Sequence, residues 1–152
     1  MSANASYTGG CQCGAVRYAF DIEPHDPHIC HCRMCQKAMG SFFAPLACLP
    51  ASELRWTKGR PARYRSSTLA ERGFCQSCGT PLTFQYLNSD TIDVTIGSLD
   101  HPERVQPASQ YGIEGRMPWF DALPGLPGTS TADDLPTDMQ KALKSAQHPD
   151  HD

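Results

Sequence analysis

The chain has 152 residues, a length suited to one domain, and a hydrophobic content of 39%, so its core is modest and cross-links would help stabilise it. A net charge of −3 with no basic stripe argues against nucleic acid as a partner, and no apolar run approaches the length of a bilayer span. Thirteen prolines and twelve glycines cut the chain into short elements, which favours a mainly β architecture over a helical bundle.

Residues 1–8 are small and polar and read as a flexible terminus. Gly9-Gly10-Cys11-Gln12-Cys13-Gly14 follows, and Val16, Tyr18 and Phe20 then alternate with Ala15, Arg17 and Ala19 as in a strand. An extended backbone would place Cys11 and Cys13 on one face. Asp21 to Ile29, with Pro24, Pro27, His25 and His28, reads as a loop with exposed histidines. The run Cys30-His31-Cys32-Arg33-Met34-Cys35 brings three thiols within six residues. From Cys32 the pattern turns helical and stops at Gly40. That one short helix sets Cys32 and Cys35 on one face near its N-terminus, where unpaired N–H groups favour the thiolate. His31 is read as a spacer whose side chain points away from a bound ion.

Ser41 to Leu49 predicts a buried strand, with Pro45 marking an edge or bulge. Glu53 to Lys58 and Arg63 to Ser66 predict short extended pieces in which Trp56 and Tyr64 face the core or pair across strands. Cys75-Gln76-Ser77-Cys78-Gly79-Thr80 has the form of a zinc-ribbon knuckle, whose tight turn aims thiols and amides at one ion. Leu82, Phe84 and Tyr86, then Asn88-Ser89-Asp90, then Ile92, Val94 and Ile96 predict a β-hairpin. Gln110 to Glu114 predicts a last short strand, and Trp119 is read as covering the core edge. The composition changes after Leu123, so the domain is expected over 9–123 and a Pro/Gly-rich tail over 124–152. Within the tail, Asp133 to Gln147 predicts a short helix, with Pro136 tolerable only in its first turn. Three outcomes are open for that helix: docking on its own domain, docking on a partner subunit as in a homodimer, or fraying.

Seven of the eight cysteines fall into three clusters, and Cys48 stands alone in an apolar run. Disulfides are the plain alternative to metal. Met1 to Gly10 has neither a charged nor an apolar leader region, so a reducing, cytoplasmic compartment is expected. A closed structural zinc site takes four ligands, whereas a catalytic one takes three and keeps an open position. The pairs Cys11/Cys13 and Cys75/Cys78 would complete a closed site of four thiolates, leaving Cys30, Cys32 and Cys35 for an open one. The rival division adds Cys48 to the triplet and closes it.

These three clusters, in this order, together with Ile92 to Gly97, Leu99-Asp100 and Pro118-Trp119, resemble the glutathione-dependent formaldehyde-activating enzyme (GFA) family, whose domain centromere protein V shares. The resemblance spans about Gly9 to Phe120. It implies a mostly antiparallel β fold built around zinc. It implies Cys11, Cys13, Cys75 and Cys78 as structural zinc ligands and Cys30, Cys32 and Cys35 as catalytic ones. Two Zn2+ ions per chain are expected, the catalytic one more labile. The implied activity is that of a carbon–sulfur lyase joining glutathione, or another small thiol, to formaldehyde or a related aldehyde. Arg33, Lys37, Arg72 and Arg116 are the candidate cations for the carboxylates of glutathione, with solvated surface charge the plainer reading of each. His31 and Glu71 are the candidates for a general base. The competing reading of the whole chain is a non-catalytic zinc-scaffolded module that binds a protein.

Overall fold

A computed structural model describes residues 6–152. The described residues form ten strands in two sheets, with three short α-helices and five single 3-10 segments. In the smaller sheet β1 (Tyr7–Gly10) pairs antiparallel with β2 (Arg17–Phe20), which pairs with β5 (Arg55–Lys58). The larger sheet has the strand order β10-β3-β4-β9-β8-β7-β6. Its members are β3 (His25–Cys30), β4 (Ala44–Pro50), β6 (Ala62–Arg65), β7 (Ala70–Phe74), β8 (Pro81–Tyr86), β9 (Thr91–Thr95) and β10 (Ser109–Tyr111). The fold is mainly β, as composition and turn content predict. No helix among the described residues is long and apolar enough to cross a membrane.

The larger sheet buries one face against the smaller one. Ala47 and Leu49 of β4, Leu82 of β8, and Ile92 and Val94 of β9 pack with Tyr18, Phe20 and Tyr7. Tyr7 stacks on Phe20 at 4.9 Å, and Trp56 meets Tyr18 edge-on at 5.9 Å. On the other face, Cys30, Cys35, Ala44 and Leu46 form a separate buried cluster with Phe84, Cys32 and Met39. Helix α1 (Arg33–Met39) covers this second cluster. Cys32 caps α1, accepting the N–H of Cys35 on its sulfur, and Gly40 ends it in the left-handed region at φ 60°.

Several expectations are corrected. Tyr7 and Thr8 belong to β1 and not to a loose terminus: Tyr7 is buried, and Thr8 Oγ1 donates to Asp100. Residues 1–5 lie outside the described residues. The expected loop before Cys30 contains β3, whose neighbours β4 and β10 supply the pairing that its prolines and histidines do not favour on their own. Strand β4 is interior, so Pro45 marks no edge; it sits opposite Ile29. Strand β10 runs parallel to β3, an exception to the antiparallel pattern. The tail holds two short helices, α2 (Thr131–Asp134) and α3 (Thr137–Ala142), with Pro136 at the N-cap of the second. Its last residues return to the domain, where His148 N–H donates to the Gln12 carbonyl and Asp152 pairs with Arg17.

Candidate metal centres

The first centre is made by two turns. Cys11 and Cys13 do not share a face of a strand, as expected, but lie in a turn between β1 and β2. That turn closes through Gly14 N–H to the Cys11 carbonyl and Cys11 N–H to the Val16 carbonyl. Cys75 and Cys78 lie in the knuckle between β7 and β8. Gly79 takes the left-handed region at φ 80° there, and Cys75 N–H donates to the Thr80 carbonyl. The two turns meet, and the sulfurs of Cys11, Cys13, Cys75 and Cys78 all lie within 4.8 Å of one another. Cys11 and Cys13 are 3.6 Å apart, and Cys13 and Cys75 3.8 Å. A tetrahedron of sulfurs at metal–sulfur bonds of about 2.3 Å has edges of about 3.8 Å. The two shortest separations match such an edge, so the four thiols could hold a tetrahedral thiophilic ion.

The surroundings suit thiolate. Val16 N–H donates to Cys11 Sγ at 3.3 Å, and the Thr80 hydroxyl lies 3.2 Å from Cys78 Sγ. Burial pushes the Cys78 thiol up, but the hydrogen bonds from Thr80 and from the Cys13 backbone outweigh it and bring it down to about 6. A backbone hydrogen bond from Ala15 lowers Cys13, while burial and the neighbouring thiols carry it up to about 11. Without an ion the cluster divides its charge unevenly; a bound cation would draw every thiol to thiolate.

The second centre lies on the opposite face of the larger sheet. Cys30 ends β3, Cys32 caps α1 and Cys35 lies in its first turn, and their sulfurs are within 4.8 Å of one another. Cys32 is partly exposed, whereas Cys30 and Cys35 are buried. Cys48 joins neither group. Ala44 is the residue opposite Cys30, and Cys48 lies four positions further along β4, roughly 13 Å away. The rival division, with Cys48 closing the triplet, is not what the fold assembles.

Cys35 Sγ receives a hydrogen bond from Arg72 Nη2 at 3.4 Å. The Cys30 thiol lowers Cys35, burial opposes this, and Arg72 adds to the lowering, which leaves Cys35 at about 5 and Cys30 raised. Register explains why Arg72 is there. Tyr64, Arg72, Phe84, Asp93 and Cys48 stand opposite one another on successive strands, so they share one face. Phe84 packs in the cluster of Cys30 and Cys35, which identifies that face as the triplet's. Arg72 lies 4.9 Å over the Phe84 ring and is buried, so it is not the solvated surface charge its sequence context suggests. Arg33 and Lys37 are exposed, and exposed Arg116 lies near Asp121.

Neither base candidate faces the triplet freely. Glu71 adjoins Arg72 on β7, so it projects from the other face, where it pairs with Arg63. His31 is fully buried, packed against Phe43 and Phe120, with Nε2 2.8 Å from the Gln110 side chain. It fastens β10 and the later Phe120 to the site. Gln36 helps by donating to the carbonyls of both His31 and Gly115. Gly112, at φ 64°, then lies so close that a Cβ there would sit 3.0 Å from Cys32 N. Asp93 is the acidic residue that sequence reading passed over. Its place in an alternating strand suggests a solvated side chain, yet it lies on the triplet's face, and burial first, then Asp26, push its carboxyl up to about 6 against the pull of His28.

In this mainly β protein, turns gather four thiols on one side of a sheet, while a strand end and a helix cap gather three on the other, and each group could hold a metal ion. The family model described as glutathione-dependent formaldehyde-activating enzyme matches residues 6–113, and the chain belongs to that family. An uncharacterized lyase of Schizosaccharomyces pombe is 35% identical over 82 residues, covering 54% of this chain and 59% of that protein. The chain therefore spans rather more than half the length of the curated relative it matches. A crystal structure of a Rhodobacter sphaeroides protein superposes with a TM-score of 0.52 at 26% identity, covering 68% of this chain and 98% of that one.

Proposed function

We propose that this chain is a zinc-dependent carbon–sulfur lyase that joins a small thiol such as glutathione to formaldehyde or a related aldehyde, giving an S-hydroxymethyl adduct. The observation that carries the reading is the unequal pair of centres, four thiols in one and three in the other. The family description and the name of the yeast relative support the same class of chemistry. On this reading Cys11, Cys13, Cys75 and Cys78 hold a structural zinc, and Cys30, Cys32 and Cys35 a catalytic one. Cys30, Cys32 and Cys35 would hold such an ion, which when bound would supply an acidic site that favours the thiolate form of an incoming thiol.

The protein's own groups do the rest. The α1 cap holds Cys32 and Cys35 in register through the Cys35 N–H, 3.4 Å from Cys32 Sγ. Gln36 and His31 fasten the segment from Gln110 to Gly115 beside Cys32. Metal binding by both groups requires reduced thiols, so on this reading the protein works in a reducing compartment such as the cytoplasm.

The test has two parts. Zinc per chain, measured on protein purified with reductant, should be two, and a mild chelator should remove one without loss of fold. Exchange between labelled formaldehyde and its glutathione adduct, followed by NMR, should be accelerated by the two-zinc form and not by the one-zinc form. One tightly held zinc with no acceleration for any small thiol would refute the enzyme reading and leave a zinc-scaffolded binding module.

A further inference from the structure

Two arginines are buried in this fold, and they are treated differently. Arg17, 4% exposed, has a carboxylate on every arm: Asp100 takes Nη1 and Nη2, and Asp152 takes Nε and Nη2. Arg72, 7% exposed, pairs with no carboxylate among the described residues. Its Nη2 donates to Cys35 Sγ, while its Nε and Nη1 are buried with no acceptor. Burying a charged N–H without a partner is costly, and an arginine kept only for structure would be expected to resemble Arg17. Stacking on Phe84 and the Nη2 contact with Cys35 hold the guanidinium next to the triplet with two donors left over.

We propose that Arg72 binds the oxygen of the substrate at the triplet through one of its free N–H groups, on Nε or on Nη1. This rests on the reading of the triplet as the thiol-binding centre. In the joining step a lone pair on the thiolate sulfur forms the C–S bond to the aldehyde carbon. The C=O π pair passes to the oxygen, and water then supplies the proton that turns the alkoxide into the hydroxyl. Arg72 stays protonated throughout and donates to the oxygen while it carries charge. The ligand class it selects is a small thiol or thiol adduct with an oxygen anion within two or three bonds of sulfur.

The test uses two probe thiols and the zinc-loaded protein. Mercaptoacetate carries such an oxygen and ethanethiol does not. Binding of each is measured by calorimetry to wild type, Arg72→Lys and Arg72→Met. Wild type should prefer mercaptoacetate by about tenfold or more, the scale of a charged hydrogen-bond pair. Arg72→Met should lose the preference, and Arg72→Lys should keep part of it, with zinc content and thermal midpoint unchanged in both. An unchanged preference in Arg72→Met would overturn the proposal. So would loss of the second zinc in both variants, since Arg72 would then serve only to hold Cys35. If wild type shows the preference but does not accelerate adduct exchange, the lyase reading fails and the oxygen site stands.

Discussion

Removing one thiol from each centre should have very different costs, and the fold sets the difference. Cys13 and Cys75 are 62 residues apart in sequence. A cross-link closing a loop of that length removes unfolded-chain entropy worth about 4 kcal/mol, on the scale used for covalent links. Cys30 and Cys35 are five residues apart. Closing so short a loop is worth only about 2 kcal/mol, and the capped helix already imposes much of that order. Of a total stability of about 5–15 kcal/mol, the first loss is a large share and the second is small. Cys78→Ser should therefore destabilise the chain by up to about 4 kcal/mol and leave it largely unfolded where that exceeds its reserve. Cys32→Ser should cost about 2 kcal/mol or less, keep the β fold and lose one zinc together with adduct exchange. The assay is urea unfolding followed by circular dichroism in zinc-buffered solution, with zinc per chain measured on the same samples. Equal losses of stability and structure in the two variants would refute the division into a structural and a reactive centre.

Other perturbations test neighbouring parts of the structure. Asp100→Ala strips the main partner from buried Arg17 and should cost about 3–5 kcal/mol, less whatever Asp152 recovers, measured by denaturant unfolding. Burial pushes the Asp100 carboxyl up, but Arg17 and Thr8 outweigh it and hold it below its ordinary range. Its contribution is thus present above about pH 4 and is lost as pH falls through the lowered value; Asp100→Ala should flatten the acid limb of the stability curve. Asp93 works in the opposite sense. A carboxyl raised from 3.8 to about 6 by burial penalises the fold once it ionises, so stability should fall between about pH 4 and pH 6. Asp93→Asn should remove that fall and raise stability above pH 6 by up to about 3 kcal/mol, read from thermal midpoints across pH. Gly115→Ala would bring a Cβ to 2.5 Å from the His31 carbonyl oxygen. It should cost about 1–3 kcal/mol and slow adduct exchange by shifting the turn beside Cys32, with zinc content unchanged.

Local signals carried a good part of this protein. The Cys-x-x-Cys knuckle with its following glycine, the helix from Cys32 to Gly40 and the hairpin around Asn88-Ser89-Asp90 depend on residues a few positions apart, and they stand where spacing and turn chemistry put them. Counting thiols by pairs and a triplet anticipated the two groups that the fold assembles, because short spacings limit which sulfurs can converge. What lay beyond local reading was decided by contacts distant in sequence. His25 to Cys30 has poor strand propensity and becomes a strand because β4 and β10 pair with it on both sides. Arg72 and Asp93 look like solvated charges in alternating strands. That inference assumes one face of the sheet is wet, whereas here α1 and the triplet occupy the second face. The sequence alone determined which residues could bind metal, and it placed the turns at Gly79 and at Asn88-Ser89-Asp90. Only the tertiary structure decided which face each strand residue took, and so which cation stands beside the Cys30, Cys32 and Cys35 triplet, because strand periodicity repeats every two residues and leaves the identity of each face to the packing around it.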